Sequence, residues 1–218
     1  MEKQFDTLFD SASSGQPYMV FPKVFSDNRG SFSEVLVNEE LDNIKQVNRS
    51  VSCQWTVRGC HAQKAPHCQS KLVEALTIPI YDIITDARPD SKTFGLTSAY
   101  LLDPKRQNKL YAPHGFLHAF AVPPYEKDLR REAVFMYYCD DTYSKDDEIA
   151  VSPMDIIPNA IEIWSRDKKT HLHSLIEMFN SPEKLILSEK DMSGQNYKQF
   201  MEDAMTQFKT AGKLWYMP

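Results

Sequence analysis

The chain has 218 residues, of which 42% are hydrophobic and 25% charged, the make-up of an ordinary globular protein able to bury a useful core in one domain. Its formal net charge of -5 argues against a nucleic-acid partner, which calls for a basic patch or stripe. No apolar run approaches the roughly 18 residues of a membrane span, and residues 1–16 lack the apolar core of a signal peptide, so a cytoplasmic protein with no membrane partner is expected. The four cysteines form no C-x-x-C pair and read as reduced thiols packed in the interior.

Residues 1–16 are polar and read as a loose N-terminal arm. From Tyr18 the texture is β: MVFPKVF and SFSEVLV flank the turn signal Asp27-Asn28-Arg29-Gly30 and predict a hairpin. Asn38 to Ile44 reads as one or two helical turns, after which IKQVNRSVSCQWTVRG resumes the extended pattern. The longest β signal is KLVEALTIPIYDIITDAR, residues 71–88, closed by Pro89, Asp90 and Ser91. Short strands follow at Thr93–Leu102, Lys109–Tyr111, Leu117–Val122 and Ala133–Cys139, the spacing of an all-β sandwich or barrel. After Trp164 the pattern turns helical in HLHSLIEMFN, LSEKDM and NYKQFMEDAMTQFKTA, the last with Tyr197, Met201, Ala204 and Phe208 on one face. The expectation is a β-barrel over 17–165 and a helical C-terminal region over 166–218 packed on it.

A small barrel can hold one ligand in its interior, so polar residues on inward positions would make a site. They gather as Gln46 and Asn48; as Arg58, His61, Gln63 and Lys71; as His114 and His118; and as Tyr137 with Tyr138. Pro113 to His118 matches half of a cupin metal motif, but the companion half, His61-Ala62-Gln63, lacks its second histidine and its acid. That breaks the donor set expected for iron, manganese or zinc, and no metal is expected. Cys60 and Cys68 raise the idea of a catalytic thiol, against which stands the plainer reading of packed thiols.

The segments FPKVFSDNRGSFSEV, QVNRSVS, VRGCHAQ, the lysine eight residues beyond that glutamine, YDIITDARPDSKTFG, APHGFLHAF, FMY and LSEKD together resemble the dTDP-4-dehydrorhamnose 3,5-epimerase family, metal-free cupins acting on nucleotide-linked 4-keto-6-deoxy sugars. The resemblance implies a cupin-type jelly-roll barrel, no cofactor, a nucleotide-diphosphate 4-keto sugar as substrate, and a homodimer. It implies His61 as general base, Asp191 as its carboxylate partner, Lys71 near the 4-keto oxygen and Tyr137 as the acid on the opposite face. It places Arg29, Glu34, Gln46, Asn48, Arg58 and His118 around the sugar or the diphosphate, with Gln63 in the same wall. Without the resemblance, Asp191 reads as the helix-capping partner of Ser188. Arg88, following Asp86, reads as a structural arginine.

The chemistry fits those residue types. A hydrogen α to a ketone is weakly acidic, and its removal puts charge on the ketone oxygen, where a cation stabilises the transition state more than the ground state. No Gly-rich dinucleotide fingerprint is present. The stretch PPYEKDLRREA before Tyr137 is longer than the family's usual connection and leaves the exact substrate open. A 3,4-ketoisomerase and a non-catalytic or metal-binding cupin remain as alternatives.

Overall fold

A computed structural model describes all residues except 12–14, 37–42, 126–130, 167–171, 213–215 and 217–218, and leaves aside the side chains of 165 and 166. Most of the expected helical turn at 38–44 and the centre of the charged stretch at 123–133 therefore lie outside the described residues. The strands are β1 (Glu2–Phe5), β2 (Tyr18–Phe21), β3 (Val24–Asp27), β4 (Gly30–Ser33), β5 (Gln46–Ser52), β6 (Val57–Gln63), β7 (Lys71–Ala75), β8 (Ile80–Asp86), β9 (Thr97–Leu102), β10 (Lys109–Ala112), β11 (Phe116–Ala121), β12 (Ala133–Cys139) and β13 (Glu148–Ala150). The α-helices are α1 (Pro153–Arg166), α2 (His173–Phe179), α3 (Glu189–Met192) and α4 (Tyr197–Ala211).

Two antiparallel sheets face one another, in the orders β1-β2-β10-β7-β12-β5 and β13-β6-β11-β8-β9. This is the expected cupin-type β body, with its two sheets left unclosed. Side-chain parity decides what each face meets. Ile80 and Ile84 of β8 and Phe116 and Phe120 of β11 point between the sheets, against Val73, Ala75 and Phe135. Their neighbours Tyr81, Ile83, Leu117, Ala119 and Ala121 point outward and are covered by Ile157, Ile161, Trp164, Leu175, Met178 and Phe200. Every residue of β8 is buried for that reason. The expected face of α4 packs as the spacing required, with Ala204 buried and Tyr197, Met201 and Phe208 against the same cluster.

The structure departs from the sequence reading in four places. The stretch 71–88 is two strands in different sheets, because Pro79 has no N–H to give a central ladder and the chain turns a corner there. The hairpin is shorter than expected: β3 pairs with β4 as a separate two-stranded sheet, while Tyr18–Phe21 belongs to the six-stranded one. The first helix starts at Pro153, inside the expected barrel region. The arm is not loose. Glu2–Phe5 pairs with β2, and Phe9 enters the core edge-on to Phe116 at 5.3 Å.

Arg88 explains why the arm is held. Fully buried, it forms a two-pronged pair with Asp86 (2.8 and 2.8 Å), as expected for a structural arginine. Its remaining N–H groups donate to the carbonyls of Gly15 (2.7 Å) and Asp10 (3.0 Å), so a buried charge is hydrogen-bonded on all sides. Removing the wedge, as in Phe9→Ala, should cost about 3–5 kcal/mol; urea unfolding monitored by tryptophan fluorescence checks this, and an unchanged midpoint would refute the anchoring role.

Candidate active site

The site is built on β6. Regular alternation would turn Arg58 and His61 to opposite faces, since they are three residues apart. The pairing with β11 slips between His118↔His61 and Phe120↔Arg58, a bulge that brings both into the same cavity. Gly59 makes this passage possible: its φ is 114°, and a Cβ there would sit 2.6 Å from the Cα of Ala119. Only glycine fits.

The cavity of about 610 Å³ between the sheets is lined by Arg58, His61, Lys71, His118, Tyr137 and Asp191, among others. A smaller lobe of about 350 Å³ is lined by Gln46, Asn48, Gln63, Gln69, Tyr143 and Glu148, and shares His61, Lys71 and Tyr137 with the first. Three strands and one short helix thus deliver an imidazole, an ammonium, a phenol and a carboxylate to one space.

Asp191 arrives from far along the chain. The segment before it is pinned to the start of β6, with Val57 N–H donating to Ile186 O (3.0 Å) and Ile186 N–H to Trp55 O (2.9 Å). Ser188 then caps α3: its hydroxyl accepts from Asp191 N–H (3.1 Å) and donates to Asp191 Oδ2 (2.7 Å). The other oxygen, Oδ1, lies 2.9 Å from His61 Nε2, a close ion-pair contact whose angles fall outside hydrogen-bond geometry. One carboxylate therefore both completes the Ser188 cap and reaches His61. Burial alone would raise the Asp191 carboxyl, but His61, Ser188 and the Gly59 backbone hold it below the usual range.

Across the cavity, burial pulls the Lys71 ammonium below the ordinary lysine range, against the attraction of Cys139, Asp82 and Glu148. Burial pushes the Tyr137 phenol up, with Ser50 and Arg58 acting against it. Tyr137 is oriented by edge-on packing against Phe135 at 4.8 Å and faces His118 at 6.4 Å.

Not every expected residue joins this group. Arg29 and Glu34 do not: Arg29 sits on the β3–β4 turn, 86% exposed and paired with Asp27 at 2.7 Å, and Glu34 is exposed just beyond β4. Gln63 lines the smaller lobe, but its amide is consumed by the chain itself. Its nitrogen donates to the carbonyls of His67 and Thr142, and its oxygen accepts from Ser144 N–H (2.9 Å), so it clamps loops rather than offering groups to a ligand. Gln46 and Asn48 bond to each other (2.8 Å) and face the smaller lobe.

His114 and His118 do not converge. His114 contacts Asp140 and His118 contacts Asp82, each at 2.8 Å. Tyr138 points to the outer face, where it donates to Glu74 (2.8 Å). Cys60 and Cys68 are buried thiols raised by that burial, Cys68 to about 12, so neither is a nucleophile at neutral pH.

The sequence profile of the dTDP-4-dehydrorhamnose 3,5-epimerase family matches residues 15–199. The chain belongs to that family. A relative named dTDP-4-dehydrorhamnose 3,5-epimerase from Shigella flexneri is 33% identical over 183 residues, 81% of this chain and 88% of its own. The crystal structure of the enzyme of the same name from Elizabethkingia anophelis superposes with a TM-score of 0.69 at 29% identity, covering 91% of this chain and 98% of that one. A dTDP-6-deoxy-D-glucose-3,5-epimerase from Legionella pneumophila, solved in complex with dTDP-4-keto-L-rhamnose, superposes with a TM-score of 0.70 at 25% identity, covering 93% and 97%.

For this epimerase-family chain, sequence reasoning missed Asp82, Glu148 and Lys190. Asp82 is fully buried and held by His118, and its other oxygen has no partner. Burial pushes its carboxyl up despite His118 and Lys71. The available signal was a lone acid between Tyr81 and Ile83 in an apolar strand, where a charge needs a partner. Glu148 lies 3.8 Å from His61 Nδ1 and is bound by Lys190 (2.6 and 2.7 Å) and the Tyr143 hydroxyl (2.9 Å). Its sequence setting, SKDDEIA, is acidic and carries no such signal.

The Asp191 and Asp140 carboxyls are both held low in the folded state. Their contribution to stability is full above the ordinary carboxylate pKa of about 4 and is lost as pH falls through their lowered folded values. Urea midpoints followed downward from neutrality should drop in that acid window, and the double variant Asp191→Asn, Asp140→Asn should show a shallower drop; an equal slope would contradict the assignment. Ser188→Ala should cost about 1 kcal/mol of stability through the lost cap, read by the same method.

Proposed function

We propose that this protein inverts C3, C5 or both of a nucleotide-diphosphate-linked 4-keto-6-deoxy sugar through an enolate, with no cofactor, as a step of deoxysugar biosynthesis. The observation that supports the reading best is the meeting of His61, backed by Asp191, with Lys71 and Tyr137 around one cavity. Membership of the epimerase family points the same way.

Each group has work that matches its chemistry. Asp191 holds Nε2 of His61, leaving Nδ1 to take the hydrogen next to the ketone. The electrons move onto the ketone oxygen, and the Lys71 ammonium, in a partly desolvated wall, stabilises the charge as it forms. Tyr137 returns a proton to the other face, which completes the inversion. The substrate's own carbonyl is the electron sink. Arg58, at the mouth of the larger lobe, is placed to pair with phosphate oxygens, and Gln46 and Asn48 hold sugar hydroxyls from the smaller lobe.

The remaining expected contacts belong to a homodimer. The β3–β4 hairpin exposes Phe25 and Phe32, 50% and 66% accessible, with Arg29 at its tip. An exposed aromatic hairpin carrying a cation is suited to docking on a second copy, and Arg29 and Glu34 would then serve the neighbouring site. None of the described helices is long and apolar enough to cross a membrane, and four unbridged cysteines suit a reducing compartment such as the cytoplasm.

Incubation of thymidine, guanosine and cytidine diphosphate 4-keto sugars in deuterated water should place deuterium at C3 or C5 for at least one of them, seen by NMR. No incorporation with any would sink the reading, and a migrated carbonyl would redirect it to a ketoisomerase. His61→Ala should lower exchange by about 10²–10⁴, whereas Tyr137→Phe should retain exchange and lose inversion. Mixing inactive His61→Ala and Arg29→Ala subunits should restore part of the activity, since one site of each mixed dimer is then complete; absence of rescue would confine Arg29 to its own chain.

A further inference from the structure

The reading of His61 as base and Tyr137 as acid, on which this inference rests, leaves the protein in a changed state after each inversion. The sugar has lost one proton and regained another, His61 has gained one at Nδ1, and Tyr137 has lost one from its phenol oxygen. Before the next inversion a proton must leave His61 and another must reach Tyr137. Asp191 is on the wrong side of the ring for this, since it faces Nε2.

We propose that Glu148 is the outlet through which His61 discharges its proton between inversions, and that the smaller lobe of the cavity is the space through which Tyr137 is reprotonated. Among the described residues Glu148 is the ion-pair partner of Nδ1, with Oε1 3.8 Å away. That is just beyond hydrogen-bond length, so a closing of about 1 Å suffices for transfer. The carboxylate is fixed by two contacts to Lys190, at 2.6 and 2.7 Å, and one to the Tyr143 hydroxyl at 2.9 Å.

Side-chain exposure is 27% at His61, 12% at Glu148 and 50% at Lys190, so the contacts lead from the ring through a more buried carboxylate to an edge open to water. His61, Tyr137, Tyr143 and Glu148 all line the same lobe, so both ends of the catalytic pair open onto it. The transfer is balanced: imidazolium gives Nδ1–H to the carboxylate, the carboxylic acid gives it to water, and the tyrosinate takes one from water.

A carboxylate holds a proton less readily than an imidazole does, so the first hop runs uphill. A proton hop is fast enough to carry that penalty at a turnover of about 10 per second. Lys190, Tyr143 and His61 hold the Glu148 carboxyl low against its burial, which speeds the second hop, to water.

The test separates one inversion from repeated ones. With enzyme in excess over a thymidine diphosphate 4-keto-6-deoxyhexose in deuterated water, Glu148→Gln should complete its first exchange within about threefold of the wild-type rate. In steady state its turnover should fall at least about tenfold, after a burst of one exchanged position per site, and should recover in proportion to added imidazole or acetate buffer. Parallel loss in both regimes, unchanged steady-state turnover, or turnover insensitive to buffer would each overturn the proposal. If Glu148→Gln does not fold, Glu148→Asp gives the same reading: a shortened carboxylate should leave turnover buffer-dependent, and buffer-independence would overturn the relay. Full exchange in His61→Ala would instead overturn the base assignment itself, a separate outcome.

Discussion

The contact between His61 Nε2 and Asp191 Oδ1, 2.9 Å long, is the constraint on which the rest of the molecule depends. It joins a strand in the β body to a short helix 130 positions later, and most of the C-terminal architecture serves to keep those two atoms together. A four-residue helix has little stability of its own. It is held by the Ile186 bridge to the start of β6 and by the Ser188 cap, and beyond it Gln195 bridges back to Val151. Helix α4 then buries Phe200 and Ala204 against the outer face of the five-stranded sheet. The helical region is thus a brace as much as an appendage, and the carboxylate it delivers could not be reached from the β body alone.

A second constraint is the parity switch at β6. Placing a guanidinium and an imidazole three residues apart in one cavity requires a bulge, and the bulge requires Gly59, because the strand passes almost in contact with Ala119. The family resemblance found Arg58 and His61 as separate motif letters. Their physical relation is set by the residue between them that has no side chain.

How much was legible follows from which interactions are local. Alternating apolar residues in Ala133–Cys139 gave that strand to the residue, and the 4-3-4 spacing in Tyr197–Phe208 gave the face of α4. The resemblance supplied His61, Lys71, Tyr137 and Asp191, which the fold gathers into one cavity. Illegible were features that depend on a distant partner. Phe9 looks like one apolar residue in a polar arm until Arg88 gathers the backbone around it. Gln63 looks like a ligand-facing amide until the loops at His67, Thr142 and Ser144 fill it. Arg29 lies on an exposed hairpin, where it pairs with Asp27 and does not line the cavity. Glu148 is an ordinary acid in the sequence, and Asp82 shows there only that it needs a partner; the folded sheets set both beside histidines.

Those two acids also act on Lys71, whose ammonium burial pulls below the ordinary range. Asp82 and Glu148 both draw on its charge, yet among the described residues neither stands within ion-pair distance of it. Asp82 is engaged by His118 and Glu148 by Lys190 and Tyr143. A lysine so placed keeps a favourable field without a bonded partner, so its ammonium is available to an oxygen that becomes anionic. A direct salt bridge would have to break before it could help, and its Coulomb energy would be subtracted from the stabilisation of the enolate. The histidine–carboxylate and lysine–carboxylate pairs around the cavity therefore do one thing in common: they engage the acids elsewhere and leave the Lys71 ammonium unpaired among the described residues. In a chain with a formal net charge of -5, that local arrangement, rather than overall charge, is what suits the cavity to an anionic intermediate.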